Sequence, residues 1–289
     1  MSEVKSRVAV VTGASSGIGK AAAEALAAQG FRVIGQGRDP GRCAAAEADI
    51  RKASATGEVT MLRADLSLMA DTARLADEIA ALTDRIDILV NNAGGMAAEL
   101  VITAEGNDAN FAGNHLGPFL LTNRLLALLR KAAQASPAGS VRIVNTSSDG
   151  SEMIDGIDLS DLQRLGDWSP GYGYCASKLA NVAHARALAG QVAGDGIVAH
   201  SAHPGTADSN FFSYMSAETK AYTDALDKIT NEEGADTLVW LATADEPGQC
   251  SGLYWHKREV REPHRLVEDA DFVDGLWRAS EEAISKSGV

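Results

Sequence analysis

Short apolar runs rich in β-branched residues alternate along the chain with longer segments of helical character. Glycine, asparagine or charged residues bound each run, which is typical of buried strands. The predicted strands are residues 7–12, 31–36, 59–63, 86–90, 141–145, 197–202 and 252–255. The predicted helices are residues 20–29, about 42–55, a stretch from near Leu68, about 103–135, about 171–193, 232–243 and a short helix in the tail. This alternation predicts an α/β fold with a doubly wound parallel sheet of the Rossmann type, about seven strands and helices on both faces.

The composition indicates one soluble domain over residues 1–289, with residues 266–289 as a C-terminal tail. The chain is 45% hydrophobic and has no linker-like stretch or repeat, so it can bury one substantial core. Its net charge of −13 argues against nucleic acid or an anionic membrane as partner. Three scattered cysteines, with no signal peptide and no apolar run of ~20 residues, lead us to expect a cytoplasmic protein that does not enter a membrane.

A glycine-rich loop joins the first predicted strand to the first predicted helix, which is the context of a dinucleotide fingerprint. Gly13 would allow a tight turn, Gly17 the approach of backbone to a pyrophosphate, and Gly19 close packing of helix on strand. Backbone N–H groups at the helix start would hold the phosphates. The alternative is a glycine-rich turn without a ligand. The candidate cofactor residues here are Gly13, Ser15, Ser16, Gly17, Ile18 and Gly19.

The end of the second strand bears on the choice of cofactor. An NAD site usually has an acidic residue there to bind the ribose hydroxyls. In this chain Gly37 holds that place and Arg38 follows it, so a 2′-phosphate would meet a cation. We therefore favour NADP(H) over NAD(H). The alternative is that Arg38 is a surface residue and Asp39 turns inward to the ribose.

Loops after later strands extend the candidate cofactor site. Asp65 could accept a hydrogen bond from the adenine amino group, or it could cap the helix that begins near Leu68. Small residues after the fourth strand let the backbone pass beneath a cofactor, and an asparagine there can bridge strands. The candidate cofactor residues in these loops are Asp65, Leu66, Asn92, Ala93, Gly94, Pro204, Gly205 and Thr206.

Pro118 lies inside the long predicted helix of residues 103–135 and should kink it, because proline lacks an N–H. The kink would free a backbone carbonyl near Asn114 to hold a water. We interpret His115 as a packing or hydrogen-bonding residue.

Tyr174 and Lys178 are four residues apart, so on a helix they share one face. Alone, such a pair is common on solvated helix faces. Beside a nucleotide site it could form a proton donor with a cationic neighbour. Cys175 would point about 100° away around the helix, and we interpret it as a packing residue.

Several motifs occur in an order that is more specific than any one of them: Thr12-Gly13-x-x-x-Gly17-Ile-Gly19, Asn91-Asn-Ala-Gly94, Asn114, Ser148, Tyr174-x-x-x-Lys178 and Pro204-Gly205. Together they resemble the short-chain dehydrogenase/reductase family over about residues 5–260. Within that family, segments 114–122, 174–181 and 203–206 are most similar to the retinol dehydrogenase-like branch. Bacterial ketone reductases belong to the same neighbourhood.

The resemblance implies hydride transfer between nicotinamide and a small-molecule carbonyl or alcohol, without a metal. It implies four catalytic residues: Asn114, Ser148, Tyr174 and Lys178. Tyr174 would act as acid/base, Ser148 would donate to the substrate oxygen, and Asn114 would hold a water linking Lys178 to solvent. Tyr174 and Lys178 would also contact the cofactor, with Lys178 binding the nicotinamide ribose. The family often forms dimers or tetramers through its two long helices, so a homodimer or homotetramer is possible.

Two apolar stretches are candidates for the substrate pocket. Ser148 precedes Tyr174 by 26 residues, more than is common in the family, and the extra residues would border the pocket. The segment of about 206–230, which also holds Met215 and Tyr222, could close over a ligand or form an ordinary amphipathic helix. The candidate substrate residues are Ser148, Trp168, Phe211, Phe212 and Tyr214. They favour a fairly large apolar or aromatic substrate.

Three alternatives stay open from the sequence. Ser147 adjoins Ser148, although the position of Ser148 before Asp149-Gly150 favours it. The protein could be an NAD-dependent secondary-alcohol dehydrogenase. It could also be a non-catalytic NADP-binding scaffold, which the four filled catalytic positions disfavour.

Overall fold

The computed structural model describes residues 6–207 and 228–289. Within these residues, eight strands form one sheet in the order β3-β2-β1-β4-β5-β6-β7-β8. The strands are β1 (Val8–Val11), β2 (Arg32–Gly37), β3 (Val59–Arg63), β4 (Ile88–Asn91), β5 (Val141–Thr146), β6 (Ile197–His203), β7 (Tyr254–His256) and β8 (Glu259–Arg261). Every pair from β3 to β7 is parallel, which confirms the predicted doubly wound α/β fold.

The last strand was not predicted from the sequence. β8 pairs antiparallel with β7 through a tight turn at Lys257 and Arg258, whose φ angles are 51° and 63°. Two-residue hairpin turns of this kind usually contain glycine or asparagine, because those residues tolerate positive φ. Neither is present here, so the usual hairpin signal is missing.

Helices cover both faces of the sheet. Among the described residues they are α1 (Gly17–Ala28), α2 (Pro40–Ala53), α3 (Met69–Leu82), α4 (Ala109–Phe111), α5 (Gly117–Ala133), α6 (Pro170–Gln191), α7 (Asn231–Thr243) and α8 (Ala270–Lys286). On β1, Val8 and Val10 pack with residues of α3, α5 and α6, whereas Ala9 and Val11 pack with residues of α1, α2 and α7. Successive strand residues point to opposite faces, so each strand contributes to both core layers.

The predicted helix over residues 103–135 begins later and is interrupted. The Asp108 carboxylate accepts hydrogen bonds from the backbone N–H groups of Asn110 and Phe111, so helical structure starts with α4. A π-helical turn, Ala112–Leu116, then joins α4 to α5 just before Pro118. The backbone carbonyl of Asn114 in this turn accepts a hydrogen bond of 2.9 Å from Asn181 Nδ2, so it is already engaged.

The C-terminal tail is more ordered than the short helix expected from the sequence. α8 has 17 residues and is capped by Asp269, whose carboxylate accepts from the N–H groups of Asp271 and Phe272. Trp277 of α8 packs against Phe119 of α5, with ring centroids 4.5 Å apart, and against His184 of α6 at 5.7 Å. The chain's own tail therefore covers part of the face of α5 and α6.

Candidate active site

The glycine loop forms a cradle between β1 and α1. Gly13 and Gly17 have φ angles of 70° and 59°, which favour glycine. A Cβ on Gly13 would lie 2.9 Å from the Cα of Ala93, and one on Gly19 would clash with the side chain of Asn92. α1 has no side-chain cap at Ser16 and no acidic residue in its first turn. Its N–H groups and positive dipole end are therefore suited to a pyrophosphate.

A buried glutamine that the sequence analysis missed fixes this loop. Gln36 on β2 accepts a hydrogen bond of 3.0 Å from the N–H of Gly13 through Oε1 and donates one of 2.6 Å to the carbonyl of Ala64 through Nε2. Its backbone carbonyl also accepts from the N–H of Ala14 at 2.9 Å. Gln36 is a polar residue in a largely apolar predicted strand, and this was the signal in the sequence that could have indicated its role.

The end of β2 has no room for an acidic side chain. A Cβ on Gly37 would lie 2.7 Å from Cys43 Sγ and 2.8 Å from Ser15 Oγ. Asp39 does not turn inward: its carboxylate caps α2 by accepting from the N–H of Arg42 at 2.7 Å. The Arg38 side chain is 58% exposed.

Asp65 faces Arg38 and does not cap a helix. Its Oδ2 lies 3.9 Å from Arg38 Nη1, and its Oδ1 accepts from the N–H and hydroxyl of Ser67. The N-terminal N–H groups of α3 are instead bound by the carboxylate of Glu105, at 2.6 and 3.0 Å. The cap suggested for Asp65 is therefore wrong. The Leu66 side chain is buried in the core below the site.

Asparagines bridge the central strands, as predicted. Asn91 on β4 donates 2.9 Å to Asn145 Oδ1 on β5. The side chain of Asn92 donates to the carbonyl of Thr12 at 3.2 Å. These bonds hold the carboxyl ends of β1, β4 and β5 together, where ligands bind in doubly wound sheets.

Tyr174 and Lys178 lie next to each other on α6, which begins after the capping residue Ser169 and Pro170. Lys178 Nζ is 5.6 Å from the centre of the Tyr174 ring. Burial raises the pKa of the Tyr174 phenol well above its ordinary value, and a hydrogen bond with Ser148 opposes this shift. Burial also lowers the pKa of Lys178 to about 8.

The two neighbouring serines have different partners. Ser147 is buried and donates 2.7 Å to the backbone carbonyl of Lys178. Ser148 hydrogen-bonds with Tyr174, accepts from the N–H of Gly150 at 3.1 Å and donates to Asp149 Oδ1 at 3.0 Å. The hydroxyl beside the phenol is therefore that of Ser148.

Asn114 also lies near the lysine. Its Oδ1 accepts from the N–H of Gly95 at 2.9 Å, and its Nδ2 donates to the carbonyl of Gly95 at 2.8 Å. A Cβ on Gly94 would lie 2.9 Å from Asn114 Oδ1 and 3.2 Å from Lys178 Nζ, so this glycine fits between the two side chains. The structure thus brings the four candidate catalytic residues to one place, and their roles stay predictions.

One known protein family matches most of the chain. The profile described as short chain dehydrogenase matches residues 7–220. The chain belongs to the short chain dehydrogenase family. It is 32% identical to human retinol dehydrogenase 13 and 35% identical to human retinol dehydrogenase 12, covering 96% of this chain in both cases and 84% and 86% of those proteins.

Solved structures of similar fold include two bacterial proteins. One, described as a putative uncharacterized protein from Mycobacterium paratuberculosis, has a TM-score of 0.75 at 30% identity and covers 96% of this chain and 93% of that chain. The other is the Pseudomonas aeruginosa RhlG/NADP active-site complex, with a TM-score of 0.69 at 27% identity, covering 87% and 94%.

The remaining candidate residues of this short chain dehydrogenase come from the segment before α6, from the loop after β6 and from segment 206–230. Trp168 donates 3.1 Å to Asp108 Oδ2, so its indole is anchored at the start of α4. Pro204, Gly205 and Thr206 follow β6, and Gly205 has a φ of 91°. The predicted substrate residues Phe211, Phe212 and Tyr214, with Met215, Tyr222 and most of segment 206–230, lie outside the described residues.

Two residues with reactive side chains serve in packing, as predicted. His115 is buried, with Nε2 2.9 Å from Ser280 Oγ and Nδ1 3.3 Å from Asn181 Oδ1, and burial lowers its pKa to about 4. Cys175 is buried, and burial raises its pKa to about 11. Across residues 6–207 and 228–289, no helix is long and apolar enough to cross a membrane, and no group of three or more His, Cys, Asp or Glu side chains is arranged to hold a metal.

Proposed function

We propose that this enzyme is an NADP(H)-dependent oxidoreductase that interconverts a carbonyl and an alcohol on a fairly large apolar or aromatic substrate. The observation that carries the proposal is the hydrogen bond between the hydroxyls of Tyr174 and Ser148, with the ammonium of Lys178 beside the phenol. This group lies at the carboxyl ends of the central strands, next to the glycine cradle.

The residues fit a nicotinamide dinucleotide. The cradle at Gly13 and Gly19 leaves no room for a Cβ, and the uncapped start of α1 can receive phosphates. The cofactor, when bound, supplies or removes the hydride. Lys178 would bind the nicotinamide ribose, which would bring the cofactor close to Tyr174.

Three features at the end of β2 support NADP(H). Gly37 excludes an acidic side chain, Asp39 is used as a helix cap, and the exposed Arg38 is available to a 2′-phosphate. The similar Pseudomonas aeruginosa structure is described as an NADP complex. NAD(H) is the second candidate, because Asp65 lies near enough to Arg38 to offset part of its charge.

The protein's own side chains carry out the proton transfer. In reduction, Tyr174 donates its proton to the substrate oxygen, for which a phenol with a raised pKa is in the correct state. Ser148 donates a hydrogen bond to the same oxygen, for which its hydroxyl proton turns from Asp149 Oδ1 to the substrate. In oxidation, the phenol must first lose its proton, and the positive charges of Lys178 and of oxidised nicotinamide favour that loss. Asn114 would hold a water that links Lys178 to solvent.

The substrate class is supported by the relatives and by exposed apolar side chains in the segment between Ser148 and Tyr174. Two human relatives are named retinol dehydrogenases, and retinol is a large apolar alcohol. Met153 is 70% exposed and Leu165 is 38% exposed in the segment between Ser148 and Tyr174. We also propose a cytoplasmic enzyme, which the three free cysteines support.

An NADPH-oxidation screen over aldehydes, cyclic ketones, steroids and aryl ketones tests the function. We expect turnover with at least one large apolar carbonyl and a higher rate with NADPH than with NADH. The variant Arg38→Ala should raise the KM for NADPH and change that for NADH little. Equal effects on both cofactors would refute the NADP assignment. Tight NADPH binding without turnover across the screen would favour a binding scaffold.

A further inference from the structure

Asp149 lies beside Ser148, the residue that hydrogen-bonds with Tyr174, and it has no role in the mechanism described above. Its Oδ1 lies 3.0 Å from Ser148 Oγ. An ionised carboxylate only accepts hydrogen bonds, so the serine is the donor. The Ser148 hydroxyl also accepts from the N–H of Gly150 and hydrogen-bonds with Tyr174. Because a hydroxyl has one proton and two lone pairs, the phenol donates to the remaining lone pair.

This arrangement puts a negative charge close to the phenol. Two consecutive hydrogen bonds separate the Tyr174 oxygen from the Asp149 carboxylate, a span of roughly 6 Å at most. A negative charge at that distance disfavours the phenolate, and the charge of Asp149 accordingly raises the pKa of Tyr174.

The neighbours of Asp149 offset only part of this charge. His203 Nε2 is 3.8 Å from Asp149 Oδ2, but burial lowers the pKa of His203 to about 4, so the imidazole is neutral at neutral pH. Arg261 also faces Asp149, but its guanidinium forms an ion pair of 2.8 Å with Glu152. The titratable side chains that Asp149 influences are Tyr174, Cys175, His203, Tyr254 and Arg261.

We propose that Asp149 is a positioning residue: held beside Ser148 by a hydrogen bond, its carboxylate places a negative charge close to the Tyr174 phenol, which favours carbonyl reduction over alcohol oxidation. The proposal rests on the proposed function, because it assigns Asp149 a role in that reaction. Asp149 acts through Ser148 and Tyr174 and does not touch the substrate. The Asp149 side chain is 54% exposed, so its replacement should leave the fold intact.

Two substitutions separate the charge from the hydrogen bond. Asp149→Asn keeps an oxygen that can accept from Ser148 and removes the charge, whereas Asp149→Ala removes both. Glu262→Gln is the matched control, because it removes one exposed carboxylate beyond β8. We expect the pH at which alcohol oxidation rises to move down by roughly 0.5 to 1 unit in Asp149→Asn, and to stay unchanged in Glu262→Gln. The reductive kcat should stay within about threefold of the wild type in both Asp149 variants, because neither variant removes a group that contacts the substrate.

A second readout does not depend on turnover. The ultraviolet absorbance of tyrosinate, titrated with NADP⁺ bound and corrected with Tyr174→Phe, reports the ionisation of this phenol directly. The titration should also move to lower pH in Asp149→Asn. If the wild type reduces no carbonyl but the titration moves, the proposed function fails and the electrostatic role of Asp149 stands. A titration of Asp149→Asn that coincides with that of the wild type overturns the proposal.

Discussion

The side-chain nitrogen of Lys178 lies 3.2 Å from the backbone carbonyl oxygen of Thr146, the last residue of β5. This contact joins the helix that carries the candidate catalytic pair to the strand that leads to Ser148. The lysine is 4% exposed and its pKa is lowered to about 8 by burial. A buried ammonium that has a backbone carbonyl as its hydrogen-bond partner lowers the stability of the fold, because its charge has lost its hydration. Such groups are typical of functional sites.

We therefore expect Lys178→Met to stabilise the protein and abolish most turnover. Methionine fills a similar volume, and the Thr146 carbonyl keeps a second donor, Asn181 Nδ2, at 3.3 Å. The free energy of unfolding at pH 7 should rise by about 2 kcal/mol. Chemical denaturation measures the stability, and NADPH oxidation measures the activity. A variant that is less stable than the wild type would contradict the idea that the lysine is a stability cost.

The lowered pKa of Lys178 also predicts how the stability difference between Lys178→Met and the wild type depends on pH. Between about pH 8 and the ordinary lysine value of 10.5, the unfolded chain holds the Lys178 proton and the folded chain does not. Stability rises with pH wherever the unfolded state binds more protons. The contribution of Lys178 therefore becomes less unfavourable over this range, and the advantage of Lys178→Met should shrink. Denaturation of both proteins at pH 7 and pH 9.5 checks the sign, and a gap that widens with pH would refute it.

Tyr174→Phe should lower kcat by roughly 10²-fold or more, because it removes the proton donor. NADPH binding, measured by fluorescence titration, should stay nearly intact. Tyr172→Phe makes the same chemical change two residues earlier on α6 and serves as the control. We expect that control to retain turnover. Full activity in Tyr174→Phe would contradict the assignment of Tyr174 as the acid/base.

Gly37→Asp should not convert the enzyme to NADH, although an acidic residue at this position is usual in NAD sites. A Cβ there would lie within 2.8 Å of Ser15 Oγ and Cys43 Sγ, so the change should distort the loop and weaken the binding of both cofactors. Adding Cys43→Ala removes one of the two contacts and should restore part of the binding. The Kd values for NADPH and NADH in the single and double variants test this. Tight NADH binding by Gly37→Asp alone would show that the loop has room.

Removing the packing between α8 and the long helices should change the association state. Trp277→Ala deletes the ring that contacts Phe119 and His184, and the loss should cost about 2 to 3 kcal/mol of stability. It also uncovers apolar surface on α5 and α6, the helices through which the resemblance implies assembly. We expect light scattering to show more dimer in Trp277→Ala than in the wild type. An equally dimeric wild type would mean that α8 does not obstruct that face.

The sequence predicted the features that depend on local pattern. The parallel strands were visible as β-branched runs, and the glycine loop and the Tyr174–Lys178 pair follow from spacing along a turn and a helix. The interpretation of His115 and Cys175 as packing residues also came from the sequence. These predictions succeeded because periodicity and turn chemistry are properties of neighbouring residues.

The sequence could not supply the partners that come from distant parts of the chain. Glu105 caps α3 from more than thirty residues away, and no local signal marks it. The same limit explains the mistaken cap at Asp65 and the missed roles of Gln36 and of the hairpin before β8.

What the sequence by itself determined is the class of the protein: an α/β domain with a glycine loop and a tyrosine–lysine pair, because each of these needs only short-range order. The tertiary structure decided which groups meet. In the folded chain Ser147 donates to a backbone carbonyl, whereas Ser148 hydrogen-bonds with the Tyr174 phenol. The end of β2 has no room for an acidic side chain, and Asp149 lies beside Ser148. Contacts of this kind depend on how helices and strands pack, and packing brings together side chains whose separation along the chain carries no information about their distance in space.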